Sequence, residues 1–389
     1  MSLTLIEFYD KSPLENIVSS LAIRPKNVVF LGSNIKLMER EIARYQNLLI
    51  RKGITLEMEC RYIKKNDLGQ IQDTLSRVAE ENPRCVIDLT GGDGLSLVAV
   101  GTVAHILIDK NISFHRVNLN TRKVVEFFDT EPEYNVYDPI LSVAENIVLY
   151  GGSVVYEKER FGGTYNWDWS GDFESDVNEM WKILRRDCRV WNTQIKLLEG
   201  SVKPDILKAS CSLNKPWNKK LFEQLSEIEV ISDFNFDGEK LSFDIKNKQV
   251  AMVLSKVGTI LELKTYLVAS GDSHFTDVMT GVCIDWDGKT NGIIGTENEI
   301  DVLCMKGLTP VFISCKNGSV DGAELYKLHT VAQQFGGDYA KKALVATHID
   351  KCQRGMEYFR QRARDMNIQL IENVYEFDDK EFAKRLKGI

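Results

Sequence analysis

Thr296-Glu297-Asn298-Glu299-Ile300-Asp301-Val302-Leu303, a short turn, and Pro310-Val311-Phe312-Ile313-Ser314-Cys315-Lys316-Asn317 are the two runs that decide the reading of this chain. Both alternate polar and apolar residues at the period of a β-strand, whose successive side chains point to opposite faces. In the first run Glu297, Glu299 and Asp301 share a face. In the second, Phe312, Ser314 and Lys316 share a face, while Val311, Ile313 and Cys315 take the other. Met305-Lys306-Gly307-Leu308-Thr309 suits the turn of a hairpin. Paired, the strands would set Glu299, Asp301, Ser314 and Lys316 around one point. Carboxylates gathered there repel one another unless a cation lies between them, and their oxygens suit Mg²⁺ or Mn²⁺. A lysine beside such ligands orients a water or counters the charge developing on a phosphorane. The same spacing also fits a solvated acidic hairpin, and only the remainder of the chain separates the two.

With 389 residues the chain is long enough for two or three domains, each with its own core. Its 43% hydrophobic and 27% charged residues are those of an ordinary globular protein. A formal charge of -7 excludes a uniformly basic coat for nucleic acid, so a polyanion must meet a local basic patch or a metal. The 8 cysteines include no C-x-x-C pair, which excludes a zinc ribbon and predicts reduced thiols. The first residues do not read as a signal peptide, and no apolar run approaches the length of a membrane span. The expectation is a soluble, cytoplasmic protein with no membrane partner.

The first third alternates strand and helix signals. Strands are predicted at Leu3–Tyr9, Asn27–Gly32, Thr55–Ile63 and Arg84–Leu89, and helices at Leu14–Ala22, Ile35–Arg51, Leu68–Glu81 and Leu95–Leu107. Ser113–Phe128 reads as a closing antiparallel pair. This order predicts an α/β, doubly wound, Rossmann-like sheet. Ligands of such sheets bind outside the carboxyl ends of the strands, at the switch point of the strand order. Three loops lie at those ends: Asp10-Lys11-Ser12, Ser33-Asn34 and Thr90-Gly91-Gly92-Asp93-Gly94. If the first and fourth strands are neighbours, their loops face one crevice. Glycines admit a close ligand, the following helix start offers N–H groups to a phosphate, Thr90 and Ser12 add hydroxyls, and Lys11 adds charge. The spacing is not G-x-G-x-x-G, and Asp93 would repel a pyrophosphate, which disfavours a nicotinamide or flavin cofactor. A plain tight turn accounts for the glycines equally well.

Val86-Ile87-Asp88-Leu89-Thr90-Gly91-Gly92 resembles the D-L-T-G-G segment of CARF domains, the Rossmann-like sensors of cyclic oligoadenylate in type III CRISPR immunity. The resemblance covers roughly residues 1–150. It implies a cyclic oligoadenylate ligand, cyclic tetra-adenylate first, held by Asp10, Lys11, Ser12, Ser33, Asn34, Thr90, Gly91, Gly92 and Asp93 in a homodimer. Asp93 stands where that family often has a basic residue, which leaves open the ring size and whether the domain cleaves its ligand.

Residues 151–249 read as a linker region or small module. They comprise an aromatic stretch around Trp167 and Trp169, one helix over Val177–Leu198, another over Trp217–Ile228, and a hairpin whose turn contains Asp237-Gly238. Residues 250–389 then predict helix, three strands, helix, strand, helix, strand, beginning with a helix over Val250–Val268 that carries Glu262. A helix over Lys351–Met366 carries Arg354, Arg360, Arg362 and Arg364.

This C-terminal third resembles the PD-(D/E)xK nucleases, a restriction-endonuclease-like fold. Asp301 matches the acidic residue of the second core strand, and Ser314-Cys315-Lys316 matches the (D/E)-x-K tripeptide with serine in place of the carboxylate. Glu262, in Gly258-Thr259-Ile260-Leu261-Glu262, matches the glutamate that the first helix supplies, although an ordinary helix-surface glutamate reads the same. The resemblance implies metal-assisted phosphodiester hydrolysis of single-stranded RNA, DNA or both, with nicking of supercoiled DNA as a further alternative. Asp301, Glu299, Glu262 and the Cys315 carbonyl would hold Mg²⁺ or Mn²⁺. Lys316 would orient water or counter charge, and Ser314 would hold a metal-bound water. Glu299, Glu297 or Glu324 would compensate for the missing carboxylate. The five histidines show no H-x-x-H spacing, and Cys315 faces away from Lys316, which disfavours histidine or cysteine chemistry. A cyclic-oligoadenylate-sensing regulator without nuclease activity, and a ring nuclease that only degrades the messenger, are the competing readings.

Overall fold

The computed structural model describes residues 2–110, 112–128, 134–157, 162–212, 216–236, 240–289, 297–352 and 355–389. Thr296, the side chain of Glu297, the Asp237-Gly238 turn and Arg354 lie outside the described part. The chain divides into two units, Met1–Ser153 with Gly307–Thr309, and Val154–Lys306 with Pro310–Ile389.

The first unit runs β1 (Thr4–Phe8), α1 (Val18–Ile23), β2 (Asn27–Gly32), α2 (Ile35–Arg51), β3 (Glu57–Tyr62), α3 (Leu68–Glu81), β4 (Cys85–Asp88), α4 (Gly94–Ile108), β5 (Ser113–Asn118), β6 (Lys123–Glu126) and α5 (Val143–Leu149). Its sheet has the order β3-β2-β1-β4-β5-β6. All pairs are parallel except β5 with β6. The order reverses between β1 and β4, so the loops after these strands flank the switch point. Ile6, Phe8, Val29, Leu31 and Ile87 pack with residues of α3 and α4 on one face. The alternate residues Leu5, Val28, Phe30 and Val86 are buried as well, which is why β2 and β4 read as continuous apolar runs. Helix α1 starts four residues later than the predicted Leu14. The Asn16 side chain holds the preceding turn by accepting from Asp10 N at 2.7 Å and donating to Asp10 O at 2.8 Å. The helix ends at Arg24, in the left-handed region at φ 48°, just before Pro25.

The second unit begins at β7 (Ser153–Val154), where one unit gives way to the other. It continues with α6 (Phe173–Arg186), α7 (Cys188–Leu198), β8 (Lys208–Ser212), α8 (Lys219–Glu227), β9 (Ile231–Phe236), β10 (Lys240–Ile245), α9 (Lys248–Ser255) and α10 (Thr259–Ser270). There follow β11 (Asp277–Asp285), β12 (Glu297–Lys306), β13 (Thr309–Val320), α11 (Gly322–Gly336), β14 (Lys341–Cys352), α12 (Met356–Asp365), β15 (Ile368–Ile371) and α13 (Asp379–Lys387). From α10 to β15 this is the predicted α-β-β-β-α-β-α-β order. The strands form one sheet β8-β10-β9 and a second, β15-β14-β13-β12-β11-β7. β11 and β12 are antiparallel, whereas β13, β14 and β15 run parallel. One buried cluster extends from Phe173, Trp191 and Phe243 to Leu261, Val302, Ile313, Val345 and Leu386. Residues 154–249 therefore share a core with the C-terminal elements.

Three predicted helices differ. The run Val177–Leu198 is two helices, because Asp187 leaves helical geometry and its side chain accepts from Val190 N at 3.0 Å, capping α7. The run Val250–Val268 is also two, since Lys256 is extended (φ -143°, ψ 128°). The run Lys351–Met366 is strand at its start, because β14 stays paired with β13 as far as Cys352 opposite Val320. Trp167 stacks on Phe173 at 5.5 Å and Trp169 on Tyr266 at 4.9 Å, so both aromatics are engaged within the fold.

Candidate functional site

The hairpin strands β12 and β13 bring Asp301 against Ser314 and Cys315. Asp301 Oδ2 accepts from Cys315 N at 2.6 Å and from Ser314 Oγ at 3.1 Å. The Asp301 carbonyl accepts from Thr280 Oγ1 of β11 at 3.0 Å. Aspartate is thus locked from both sides. Burial raises its carboxyl above the ordinary range, against the opposing pull of Lys316 and of the Cys315 N–H. The Ser314 hydroxyl gives its proton to Asp301 and keeps its lone pairs as acceptors.

Glu262 lies in the first turn of α10 and is buried. A Cβ at Gly258 would stand 3.0 Å from Glu262 Oε1, so the glycine leaves room for the carboxylate. Burial, then the charge of Asp301, pushes Glu262 up to about 7. Lys316 pairs with Glu324 of α11, Nζ to Oε2 at 3.0 Å, rather than with Glu299. Burial disfavours the Lys316 charge, but Asp301 and Glu324 outweigh it and raise its pKa. Cys315 turns its sulfur inward, 3.6 Å from Thr265 Oγ1, and burial drives its thiol well above the usual value.

Lys256 is the residue that sequence reasoning missed. Its Nζ stands 3.7 Å from Glu262 Oε1 and 3.8 Å from Glu299 Oε1. The signal lay in the break between α9 and α10, hidden beneath continuous helical spacing. Glu262, Glu299 and Asp301 have the oxygen chemistry that Mg²⁺ or Mn²⁺ takes. Among the described residues, however, no group of three His, Cys, Asp or Glu side chains is placed to hold a metal ion. An ammonium stands between two of the carboxylates instead.

In the first unit the loops after β1 and β4 are joined by Asp10. Its Oδ2 accepts from Gly92 N at 3.1 Å and its Oδ1 from Ser12 N at 2.8 Å. Gly92 has φ 99°, and a Cβ there would lie 2.9 Å from Phe8 Cβ, so the turn requires glycine. At Gly91 a Cβ would meet Asp10 Cβ at 3.1 Å. Thr90 was expected to offer its hydroxyl to a ligand. In the structure that hydroxyl donates to Asp88 Oδ1 at 2.6 Å and accepts from Val117 N at 2.8 Å. Asp93 caps α4, accepting from Ser96 N and Ser96 Oγ at 2.8 Å each, and these bonds lower its pKa. Asn34 caps α2 through Leu37 N at 3.1 Å, beside exposed Ser33. Lys11 is exposed at the same end of the sheet.

Beneath these loops runs a row of ionisable residues in direct register: Glu7 opposite Asp88, Asp88 opposite His115, and His115 opposite Glu126. His115 Nε2 is 3.2 Å from Asp88 Oδ1, and its Nδ1 is 2.9 Å from the Tyr134 hydroxyl, which also bonds Glu126. Glu7 is 2% exposed with neither oxygen hydrogen-bonded, and burial holds its carboxyl well above the usual range.

No protein-family model matches the sequence, and no curated protein sequence does. Several solved structures match, among them two that align over nearly the whole chain. Protein VC1899 from Vibrio cholerae superposes with a TM-score of 0.78 at 16% identity, covering 99% of this chain and 97% of that one. Can2 from Sulfobacillus thermosulfidooxidans, solved in complex with cyclic tetra-adenylate, superposes with a TM-score of 0.68 at 14% identity, covering 98% of this chain and 96% of its own. The chain shares the mixed α/β fold of these two proteins.

Proposed function

We propose that this chain is a ligand-gated, divalent-metal-dependent nuclease. A cyclic oligoadenylate, tetra-adenylate in the first instance, binds at the β1–β4 crevice of the first unit and controls hydrolysis of single-stranded RNA or DNA in the second. This is the work of a type III CRISPR ancillary effector, acting in the cytoplasm as a homodimer. The observation that carries the reading is Asp301 clamped by Ser314 and the Cys315 N–H, one residue from Lys316. The ligand is supported by the shared fold with Can2, solved with cyclic tetra-adenylate, and by the two loops that Asp10 joins. The dimer is supported by Leu97, Val98 and Ile106, apolar residues exposed on α4.

A divalent ion supplies Lewis acidity toward the scissile phosphate and acidity to a bound water. Asp301, Glu262, Glu299 and the Cys315 carbonyl are the groups that would hold it. Both fixed hydrogen bonds on Asp301 fall on Oδ2, so Oδ1 is the oxygen that would face such an ion. Glu262, raised to about 7, must lose a proton before it serves as a ligand. Lys316 places a positive charge where the phosphate becomes more negative, and Glu324 holds that ammonium in position. Glu324 is also the carboxylate that takes over the local charge which Ser314 lacks.

The test is cleavage of labelled single-stranded RNA and DNA with Mn²⁺ or Mg²⁺, with and without cyclic tetra-adenylate, beside Lys316→Ala. Cutting that needs both metal and ring and vanishes in the variant is the expected result. Tight ring binding without any cutting would instead favour a sensor whose second unit serves another partner, the reading to which Ser314 points.

A further inference from the structure

We propose that Lys256 is a built-in counter-ion of the carboxylate cluster, which a divalent metal must displace on entry. This deepens the metal-dependent reading above and rests on it. Lys256 opens the three-residue break between α9 and α10, on extended backbone (φ -143°, ψ 128°) whose carbonyl accepts from Thr259 N at 3.3 Å. From there its ammonium reaches Glu262 at 3.7 Å and Glu299 at 3.8 Å, residues of a helix and a strand that the fold brings together from far apart in sequence. Glu262 is buried, so its negative charge is costly unless a cation is near. Half of the Lys256 side chain is solvent-exposed, at 56%. It therefore swings out into water at little cost, unlike Lys316, which is 25% exposed and tied to Glu324 at 3.0 Å. The two lysines divide the work. Lys316 is fixed beside Asp301, while Lys256 neutralises the cluster when no metal is bound and yields when one arrives. A mobile internal cation makes the site selective for divalent over monovalent ions, since only the higher charge outcompetes the ammonium.

The experiment is Mn²⁺ titration followed by the electron paramagnetic resonance signal of the free ion, at low ionic strength, without nucleic acid. It compares the full-length wild type with Lys256→Met, Lys256→Arg and Asp301→Asn. Lys256→Met is expected to bind Mn²⁺ roughly three- to tenfold more tightly, as removal of one or two partly exposed ion pairs predicts. Lys256→Arg, which keeps the charge, is expected to match the wild type, and added salt should shrink the difference. Binding that Asp301→Asn abolishes, but that is equal or weaker in Lys256→Met, overturns the counter-ion and leaves the metal site standing. A gain in Lys256→Arg as large as in Lys256→Met also overturns it, because charge is then not the cause. No Mn²⁺ binding by any of the proteins overturns the metal-dependent reading itself.

Discussion

Asp301 and Cys315 are joined across the hairpin by a 2.6 Å hydrogen bond from a backbone N–H to a carboxylate oxygen. A bond of that length to a carboxylate oxygen holds the side chain in one orientation. It ties the best-defined acid of the second unit to the strand that carries Lys316, so acid and lysine move as one body.

Lys316→Ala should lower metal-dependent cleavage by about 10²–10³-fold, the usual loss when a preorganised charge facing a transition state is removed. Asp301→Asn keeps an oxygen for the Cys315 N–H and should fold, yet lose cleavage and Mn²⁺ binding together. Circular dichroism alongside single-turnover cleavage checks both. Persisting activity in both variants would dismiss the site.

Glu262 predicts a pH dependence of stability. Burial, and then the charge of Asp301, push its carboxyl up to about 7 in the folded chain, well above the ordinary carboxylate range. A group that binds its proton more tightly when folded contributes stability that is full below the unfolded value and lost as pH rises through the folded one. Without metal, the melting temperature should therefore fall between about pH 4.5 and 8, and Glu262→Gln should flatten that slope. Divalent metal should restore the loss at pH 8, since a cation then replaces the proton. Thermal melts in chelator and in Mn²⁺ decide it.

Glu7 makes the parallel case in the first unit. Its carboxyl is buried, lacks hydrogen bonds and faces Asp88, and burial holds it well above the usual range. The same sign applies: the protonated form suits the fold, and stability drops as the pH climbs past the raised value. Glu7→Gln should raise the urea midpoint at pH 8–9 and leave it nearly unchanged near pH 3, where the carboxyl is protonated in both states. An equal gain at both pH values would show that charge is not the reason.

Much of this architecture was legible because it is local. β2 and β4 announce themselves as uninterrupted apolar runs, and the glycines at 91 and 92 mark the turn that Asp10 later proves to bridge. The breaks at Asp187 and Lys256 were not legible. Apolar helical spacing continues across both, and what ends the helix at Asp187 is a side-chain cap that competes with the backbone. The start of α12 was misplaced because β14 is prolonged by pairing with β13, a tertiary choice no window of sequence contains. The row Glu7-Asp88-His115-Glu126 escaped for the same reason, since it exists only through the register of four strands. Lys316 and Glu324 were each legible as charged residues, but their pairing at 3.0 Å depends on how α11 packs against the sheet, which only the tertiary fold fixes.

The loop after β4 offers the most selective test of the sensor. Gly92 holds φ 99°, and a methyl group there would press on Phe8 Cβ at 2.9 Å. Gly92→Ala therefore costs backbone strain of order 1–3 kcal/mol and shifts the N–H that Asp10 accepts. Because Asp10 also orders the Ser12 N–H, both loops at the switch point should loosen together. Calorimetric titration with cyclic tetra-adenylate should show affinity reduced at least tenfold, while Mn²⁺ binding in the second unit stays at the wild-type value. Full affinity for the ring in Gly92→Ala would place its site away from the β1–β4 crevice.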